Sequence, residues 1–306
     1  MEENTDKQPA TTATKPRNRL IALLLSLLFP GLGQVYNGQP IKAAVLFGLL
    51  LLLPFLGGLF RWTTFFYGFI SLIAIESSIR IYIIIDALKN AKRQNEYVLK
   101  PYNTWYYYTL IAIGMFAVLS VYDFGKVSGI QTFIIPTTSN SPTFHRGDML
   151  VADLKAYSSS EPDYGDIVVY SRPDGQAFTF RVVGLPNDTI ELIDNIVSVN
   201  GKLSNVRFIK ETTIDEIPVF EFEEELPNGH KHLIYKFKIP YTSSKSNLKN
   251  IVVPADSYYF LGDYRDNAED SRYEGFISRN RIFGRIIFSY WGKTGTERMN
   301  IDFTDK

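Results

Sequence analysis

Residues 136–148 read PTTSNSPTFHRGD and separate two very different halves of the chain. Three hydroxyl residues follow Pro136, and a second proline stands at position 142, so this backbone is not helical and presents its hydroxyls from an extended, kinked segment. Mostly apolar sequence precedes it, and a charged, β-patterned region follows. Ser139 therefore lies where a chain leaving a membrane begins to fold in water, in a geometry that suits a nucleophile.

The average composition hides this asymmetry. The 306 residues carry no net formal charge and are 45% hydrophobic, as in an ordinary globular protein. Neutrality gives no electrostatic case for binding nucleic acid. The absence of cysteine excludes disulfides and thiolate chemistry. His230 and His232 could face one way on a strand and bind a metal, but a solvated turn is the interpretation we favour, so we predict no metal and no cofactor.

Four apolar runs precede residue 122, at 20–36, 41–60, 63–85 and 105–121. A spanning helix needs about 20 apolar residues. Basic residues flank the first run and follow the third, at 89–100, and the positive-inside rule puts both groups on the cytoplasmic side. We therefore predict that 20–36 is re-entrant or interfacial and that three full spans follow, with residues beyond 122 outside the cytoplasm. Four full spans, with one basic cluster on the opposite side, is the alternative.

These patterns predict an N-terminal α-helical transmembrane region followed by a mainly antiparallel β soluble domain. The segments are a disordered tail (1–18), a membrane module with a basic cytoplasmic loop (19–100), a final transmembrane helix (101–122) and an extracytoplasmic β domain (123–306). Short period-two runs and turn dipeptides such as Asn200-Gly201 favour antiparallel strands. An acidic, Ser/Asn-rich insert at about 205–250 interrupts them, and we expect it to be a less ordered hairpin.

Two resemblances follow from motifs. The stretch FPGLGQVYNGQPIKA (29–43) resembles the turn of the small membrane module called the TM2 domain, although an ordinary Gly/Pro-rich turn between membrane segments explains it equally well.

Four motifs of the soluble half, at 136–150, 165–170, 181–188 and 261–275, resemble those of type I signal peptidases in identity, order and approximate spacing. That family consists of Ser/Lys serine endopeptidases, which cut signal peptides from exported proteins at the outer face of the bacterial cytoplasmic membrane.

The resemblance implies roles for individual residues. Ser139, the first residue of Ser-x-x-Pro-Thr, is the expected nucleophile, although Asn140 replaces the usual methionine. Thr137 is the expected oxyanion-hole residue and, with the Ser139 backbone N–H, would donate to the developing oxyanion. The last motif contributes acidic and basic residues that support the site, or equally form a plain ion-pair network: Asp263, Arg265, Asp270 and Arg272. The expected partners are membrane lipid and signal peptides, and the oligomeric state is unknown.

The sequence departs from the family at the general base. The bacterial family has a lysine immediately before the Arg of its RxVGLPGD motif, and here that position is Phe180. The serine that hydrogen-bonds this lysine is replaced by Ala268, so we expect Phe180 and Ala268 to pack as an apolar pair. A replacement base would have to come from elsewhere. Lys155 is the nearest lysine along the chain, with Lys126, Lys202 and Lys210 possible through the fold, whereas His145 fits a surface loop.

Three functional hypotheses remain. The first is a working signal peptidase with a relocated base. The second is a catalytically impaired or inactive relative that keeps the peptide groove and binds export substrates or a partner, and whether the chain is an enzyme is therefore uncertain. The third is a membrane-module protein with a purely structural β domain, which the retained Ser139 and Thr137 argue against.

Overall fold

The computed structural model describes residues 14–239 and 244–304, which divide into a helical unit and a β unit. The division falls between Ser128 and Gly129, with the short segment Thr64–Phe66 grouped with the β unit. The boundary predicted from sequence lies six residues earlier, because a short helix, Phe124–Ser128, follows the last apolar run.

The chain up to Ser128 contains six helices within its described part. They are α1 (Arg19–Leu28), α2 (Leu32–Tyr36), α3 (Pro40–Leu59), α4 (Phe66–Arg93), α5 (Trp105–Val121) and α6 (Phe124–Ser128), with a 3₁₀ turn at Trp62–Thr64. Helices α3 and α4 are long and apolar enough to cross a membrane, whereas α1 and α5 are apolar but shorter. The number of crossings and their sidedness remain predictions.

The first apolar run is not one continuous helix. Helix α1 ends at Leu28, and Pro30 and Gly31, which has a φ of +101°, turn the chain into the buried α2. Two amides of α2 donate to backbone carbonyls of α4, Gln34 Nε2 to Ile83 O at 2.7 Å and Asn37 Nδ2 to Ala87 O at 2.8 Å. The break follows from Pro30, which lacks a backbone N–H and disfavours a helical conformation of Phe29 before it, and from Gly31, which adopts positive φ without a steric cost.

Two sequence-based boundaries in the helical unit are wrong. Helix α4 runs to Arg93, so Lys89, Lys92 and Arg93 lie on its last turns rather than in a loop. Positive side chains at a helix C-terminus interact favourably with the helix dipole, which supports this extension.

The predicted disordered tail lies outside the described residues for positions 1–13 and is wrong for Lys15 to Asn18. Lys15 N–H donates to Tyr97 O at 2.9 Å and Arg17 N–H to Gln94 O at 3.0 Å. The Arg17 guanidinium lies 4.5 Å from the Tyr36 ring centroid and 4.1 Å from that of Tyr97, and this cation–π contact fixes the segment.

The β unit is built from antiparallel strand pairs. Its strands are β1 (Ile130–Ile134), β2 (Met149–Asp153), β3 (Ile167–Ser171), β4 (Ala177–Gly184), β5 (Thr189–Ile193), β6 (Ile196–Val199), β7 (Lys202–Leu203), β8 (Asn205–Ile214), β9 (Ile217–Glu225), β10 (Lys231–Phe237), β11 (Leu248–Val252), β12 (Ser257–Leu261), β13 (Ile277–Ser278) and β14 (Ile282–Trp291). A one-turn helix, α7 (Ser271–Glu274), and 3₁₀ turns at Arg279–Arg281 and Thr296–Arg298 complete its described part.

Three sheets result, with strand orders β1-β2-β14-β3-β4-β12-β13, β11-β5-β6-β7 and β10-β9-β8. The large sheet is buried on both faces, because alternate residues of β3 enter different core clusters: Val168 and Tyr170 one, Ile167 and Val169 another. A strand covered on both faces reads as a continuous apolar run, which is the pattern of IVVY in the sequence. Val168 stands opposite Phe180 of β4, so Phe180 points into the first of these clusters.

Strands β5 and β6 form a hairpin, because Asp194 and Asn195 both adopt positive φ (50° and 62°) and form a tight turn. The prediction for the insert is wrong. The insert is an ordered three-stranded sheet, β8–β10, rather than a less ordered hairpin. Its aromatic residues account for the order, since Phe208, Phe220 and Phe222 contact one another edge to face.

We expect Gly33→Ala to destabilise the helical unit. A β-carbon at Gly33 would lie 2.0 Å from Ser26 Oγ and 2.6 Å from the Ala22 carbonyl oxygen, and overpacking of this kind costs about 1–3 kcal/mol. The matched control is Gly48→Ala in α3, which meets no atom within 4 Å and should stabilise the helix slightly. Thermal unfolding followed by circular dichroism in detergent measures both, and a Gly33→Ala variant as stable as Gly48→Ala would contradict the packing described for α2.

Candidate active site

Ser139 lies in the loop that follows β1, with its side chain partly exposed. The loop is held at its base by two backbone hydrogen bonds between Ile135 and the 147–148 turn, at 2.9 and 2.7 Å. Its interior is held by Ser141 N–H, which donates to Thr138 O at 2.8 Å. The segment is therefore a fixed, non-helical loop that presents its hydroxyl groups, as the sequence predicts.

Within the described residues, the two hydrogen-bond contacts of the Ser139 hydroxyl are both with oxygen atoms. Thr137 Oγ1 lies 3.4 Å from Ser139 Oγ, and the Asn267 carbonyl oxygen lies 3.5 Å from it. Asn267 Nδ2 in turn donates to Thr138 Oγ1 at 3.1 Å, which ties the two loops together. Neither a hydroxyl nor a carbonyl of this kind accepts a proton at neutral pH as a general base does.

Phe180 and Ala268 meet beside the Ser139 main chain. Both are buried, with exposed fractions of 3% and 6%, and both belong to one core cluster. A β-carbon placed on Gly262 would lie 2.3 Å from Ala268 Cβ, 2.7 Å from Ser139 O and 3.1 Å from Phe180 Cε1. The three residues thus converge on Gly262, where any larger residue would collide with them, and the position at which the resemblance expects a base is occupied by hydrocarbon.

Lys155 lies at the other end of β1. Its side chain packs against Gly129, with Nζ 3.4 Å from the β-carbon position there. Ser139 lies beyond Ile134, at the far end of the strand, and four residue steps of about 3.3 Å separate Ile130 from Ile134. This position does not support Lys155 as the base.

The other lysines considered from sequence are engaged or exposed elsewhere. Lys126 pairs with Asp123 at 3.3 Å in the helical unit, Lys210 lies 3.8 Å from Glu221, and Lys202 is exposed on β7. His145 is an exposed loop residue, as expected, and partial desolvation of its ring together with the charge of Arg298 lowers its pKa.

A cavity of about 370 Å³ opens beside Ser139. Its walls are mainly apolar, from the end of β1 and the start of β4, and they include Ile135, Phe178 and Phe180 together with Thr137. Glu269 is the single ionisable residue lining it within the described parts of the chain. A mainly apolar lining with a few polar groups is typical of ligand-binding cavities.

One of the four motif residues, Asp263, forms a buried ion pair with Arg181 of β4. Asp263 accepts from Arg181 Nε at 2.9 Å and from Arg181 Nη2 at 2.7 Å, and Thr143 Oγ1 donates to it at 2.5 Å. Burial alone would raise the pKa of Asp263, but the Arg181 guanidinium outweighs burial and holds this pKa below its ordinary value. The pair fixes β4 one residue after Phe180, and Tyr264 N–H donates to Ser139 O at 3.0 Å.

Asp270 and Arg272 form a second, local pair. Asp270 accepts from Arg272 Nε at 2.7 Å and from Gly262 N–H at 2.9 Å, and it also caps α7. Arg272 Nη1 donates to Asn195 Oδ1 at 2.8 Å. This pair therefore shapes the turn that holds Ala268.

Arg265 pairs with a residue that the sequence analysis did not identify. Its guanidinium binds the Glu224 carboxylate of β9, with Nη1 3.0 Å from Oε1, and both side chains are completely buried. Burial tends to raise the pKa of Glu224, yet Arg265 lowers it to about 2. The insert thus supplies the counter-charge for the motif loop, which spacing along the chain could not reveal because 41 residues separate the two partners.

The two insert histidines are buried rather than in a solvated turn, so that interpretation is wrong. His232 Nε2 lies 3.2 Å from Glu224 Oε2 and 3.7 Å from Asp263 Oδ1, and His230 Nε2 lies 3.2 Å from Arg181 Nη1. The rings stack with centroids 5.8 Å apart. No group of three or more His, Cys, Asp or Glu in the described chain could hold a metal ion.

Comparison with known proteins agrees with the motifs. A family model described as "Signal peptidase, peptidase S26" matches residues 103–291. A signal peptidase I of Rickettsia akari is 30% identical over 190 residues, which cover 53% of this chain and 71% of the relative. A probable signal peptidase I-2 of Synechocystis sp. is 29% identical over 203 residues, covering 62% and 75%. A solved signal peptidase I from Enterococcus faecalis matches 41% of this chain and 97% of its own, at 23% identity and a TM-score of 0.25.

We expect Glu224→Gln to lower the free energy of unfolding by about 3–5 kcal/mol, because it leaves the buried Arg265 charge unpaired. The control is Glu223→Gln on the same strand, whose side chain is partly exposed and lies 3.2 Å from Arg207; its loss should stay within about 1 kcal/mol. Denaturant unfolding of the full chain in detergent measures both. Equal losses of unfolding free energy in the two variants would show that the buried pair Glu224–Arg265 does not hold the 262–268 loop.

We also expect stability to fall as the pH drops below 6.5, the ordinary pKa of histidine. Burial, reinforced by Arg181 and opposed by Glu224 and Asp263, lowers the pKa of His232, so the unfolded chain takes up this proton at a higher pH than the folded chain. The slope contributed by one such group is at most about 1.4 kcal/mol per pH unit. His232→Gln should flatten the curve between pH 6.5 and 5, whereas Lys231→Gln should not. Parallel curves of unfolding free energy against pH for wild type and His232→Gln would contradict a neutral, buried His232.

Proposed function

The chain belongs to the signal peptidase family, peptidase S26, and from this membership we propose that it holds signal peptides of exported proteins beside Ser139 but cuts them extremely slowly. One observation carries the proposal: Phe180 and Ala268 fill the base position as a buried apolar pair. Catalytically impaired peptide binding is the function that this geometry supports best.

The chemistry explains why the loss of the base matters more than the retained hydroxyls. A serine hydroxyl is a weak nucleophile at neutral pH and needs an adjacent base to remove its proton. Removing a triad member from another serine protease costs about a millionfold in kcat, and oxyanion stabilisation with binding leaves a residual of about a thousandfold over water. A chain with Ser139 and Thr137 but without the base should therefore bind a peptide well and rarely cut it.

In this proposal Ser139 is the nucleophile, and Thr137 with the Ser139 N–H stabilises the oxyanion. The loop that carries Ser139 is positioned by Tyr264 N–H, and the pair Arg181–Asp263 holds β4 beside it. The apolar cavity takes the residues that precede the scissile bond. The ion pairs act on geometry and do not themselves touch the peptide.

We further propose that the helical unit anchors the chain in the lipid of the bacterial cytoplasmic membrane, with the β unit on the extracytoplasmic side. Helices α3 and α4 have the length and apolarity of spans, and the aromatic start of α5, from Trp105 to Tyr108, fits a membrane interface. Signal peptides emerge at that face, so the cavity would meet its ligand there.

A working peptidase with a relocated base is the second candidate, and Glu269 favours it. This residue lines the same cavity as Ser139, next to Ala268 in the chain. A carboxylate is a weaker base than a lysine of lowered pKa, since catalytic efficiency is greatest when the pKa lies near the working pH. Glu269→Gln would abolish cleavage if this candidate were correct and leave peptide binding unchanged.

We expect the double variant Phe180→Lys, Ala268→Ser to raise cleavage of a signal-peptide reporter by about a hundredfold or more, the contribution typical of a general base. The physical reason is that an amine next to Ser139 can take its proton and the new hydroxyl can orient that amine. Single-turnover cleavage in detergent micelles, resolved by mass spectrometry, measures the rate, and reporter binding to wild type is measured in parallel.

The matched control is Phe178→Lys with Ala268→Ser, which puts the amine on the same strand and the same cavity wall two residues earlier. It should not restore cleavage, and adding Ser139→Ala to the active double variant should abolish it. A double variant that binds the reporter as wild type does, and therefore is folded, but shows no faster cleavage would rule out this pocket as the missing base site. Rapid cleavage by wild type would contradict the impaired function directly.

A further inference from the structure

The helical unit has an open cavity of about 740 Å³ that plays no part in the Ser139 site. It lies at the start of α3 and is closed on its other sides by α4 and the 100–102 segment. Its polar lining residues are one glutamine, two lysines and two tyrosines: Gln39, Lys42, Lys100, Tyr82 and Tyr102.

Lys42 is held in place by an ion pair, but its ammonium group keeps hydrogen-bonding capacity for a ligand. Its Nζ lies 2.6 Å from Asp86 Oδ1, while Asp86 Oδ2 accepts from Gln34 Nε2 at 3.2 Å. The Lys42 side chain is 35% exposed and that of Asp86 only 14%, so the cavity side of this pair is the ammonium. An ammonium has three N–H donors, and Asp86 and Tyr82 engage two of them, which leaves one for a ligand.

Lys100 supplies uncompensated charge. Within residues 14–239 and 244–304 no carboxylate pairs with it, and its side chain lines the cavity. The charged groups here, Lys42, Asp86 and Lys100, sum to one positive charge. A phosphodiester carries one negative charge, and two lysines with a tyrosine hydroxyl are suitable donors for its oxygens.

The cavity continues as an apolar groove. Its floor is formed by Ile41, Val45 and Leu46 of α3. A second cavity of about 380 Å³ shares Leu46 and Tyr82 with the first and extends along α4 past Ile79 to Ile75. A site with a basic end and an apolar trough more than one helical turn long fits a head group with an attached hydrocarbon chain.

We propose that this groove binds an anionic phospholipid, with its phosphodiester between Lys42 and Lys100 and an acyl chain along α3 and α4. A free phosphate would leave the apolar trough without a role, which is why a lipid is the better occupant. The proposal rests on the membrane insertion of the helical unit proposed above and is independent of the chemistry at Ser139.

The experiment compares retention of phosphatidylglycerol and phosphatidylcholine by the full chain in a neutral detergent, measured by native mass spectrometry. Wild type should retain phosphatidylglycerol preferentially. Lys100→Gln should reduce that retention by about fivefold, the effect of one lysine near an anionic lipid. Ser78→Phe, which fills the trough, should reduce retention of both lipids.

Two controls test position rather than charge or bulk. Lys92→Gln removes an exposed lysine of α4 outside the cavity, and Ser77→Phe adds a ring to the neighbouring exposed position outside the trough; both should behave as wild type. Equal losses for Lys92→Gln and Lys100→Gln would overturn the proposal. Displacement of the lipid by equimolar inorganic phosphate would overturn it too, because the acyl chain would then contribute nothing.

Flotation of the chain with phosphatidylcholine vesicles separates the two proposals. A chain that does not float contradicts the membrane anchor. A chain that floats but shows no preference for phosphatidylglycerol contradicts the lipid site alone.

Discussion

The ion pair between Arg181 and Asp263 is the contact on which the arrangement around Ser139 depends. It joins β4 to the 262–268 loop through two buried hydrogen bonds. Thr143, in the loop that carries Ser139, donates a third hydrogen bond to the Asp263 carboxylate. A buried ion pair contributes little net stability, because desolvation offsets most of the attraction, but removing one partner is costly. Its effect is therefore geometric: it allows one arrangement of three segments and penalises others.

The insert extends this network. Glu224 neutralises Arg265, and His232 lies between Glu224 and Asp263. The loop that carries Ala268 is thus held from two sides, by Arg181 of the large sheet and by Glu224 of the three-stranded sheet. An element that looks dispensable in the sequence contributes a buried charge to the loop beside Ser139.

Phe180 and Ala268 form an apolar contact next to these ion pairs. This contact explains how a base can be absent without damage to the fold. A buried amine needs a hydrogen-bond partner, and a buried hydroxyl left alone is costly. Replacing both positions with hydrocarbon leaves no polar group unpaired, and Phe180 packs with Tyr170 and Val182 in one core cluster. The cavity beside Ser139 keeps its hydroxyls, and the Phe180–Ala268 pair itself offers no proton acceptor.

The sequence by itself determined the division into an apolar half and a β half, most strands, the break at Pro30 and the apolar identity of the base position, because these follow from local periodicity, turn residues and aligned motifs. It misjudged the end of α4 and the insert, where a helix dipole and an aromatic cluster favour the observed structure. Only the tertiary structure decided that Arg265 pairs with Glu224, that Lys155 lies away from Ser139, that Glu269 lines its cavity and that Lys42 pairs with Asp86. These facts depend on contacts between residues about 26 to 130 positions apart, and the free energy of such a contact is set by burial and distance in the folded chain rather than by any local pattern.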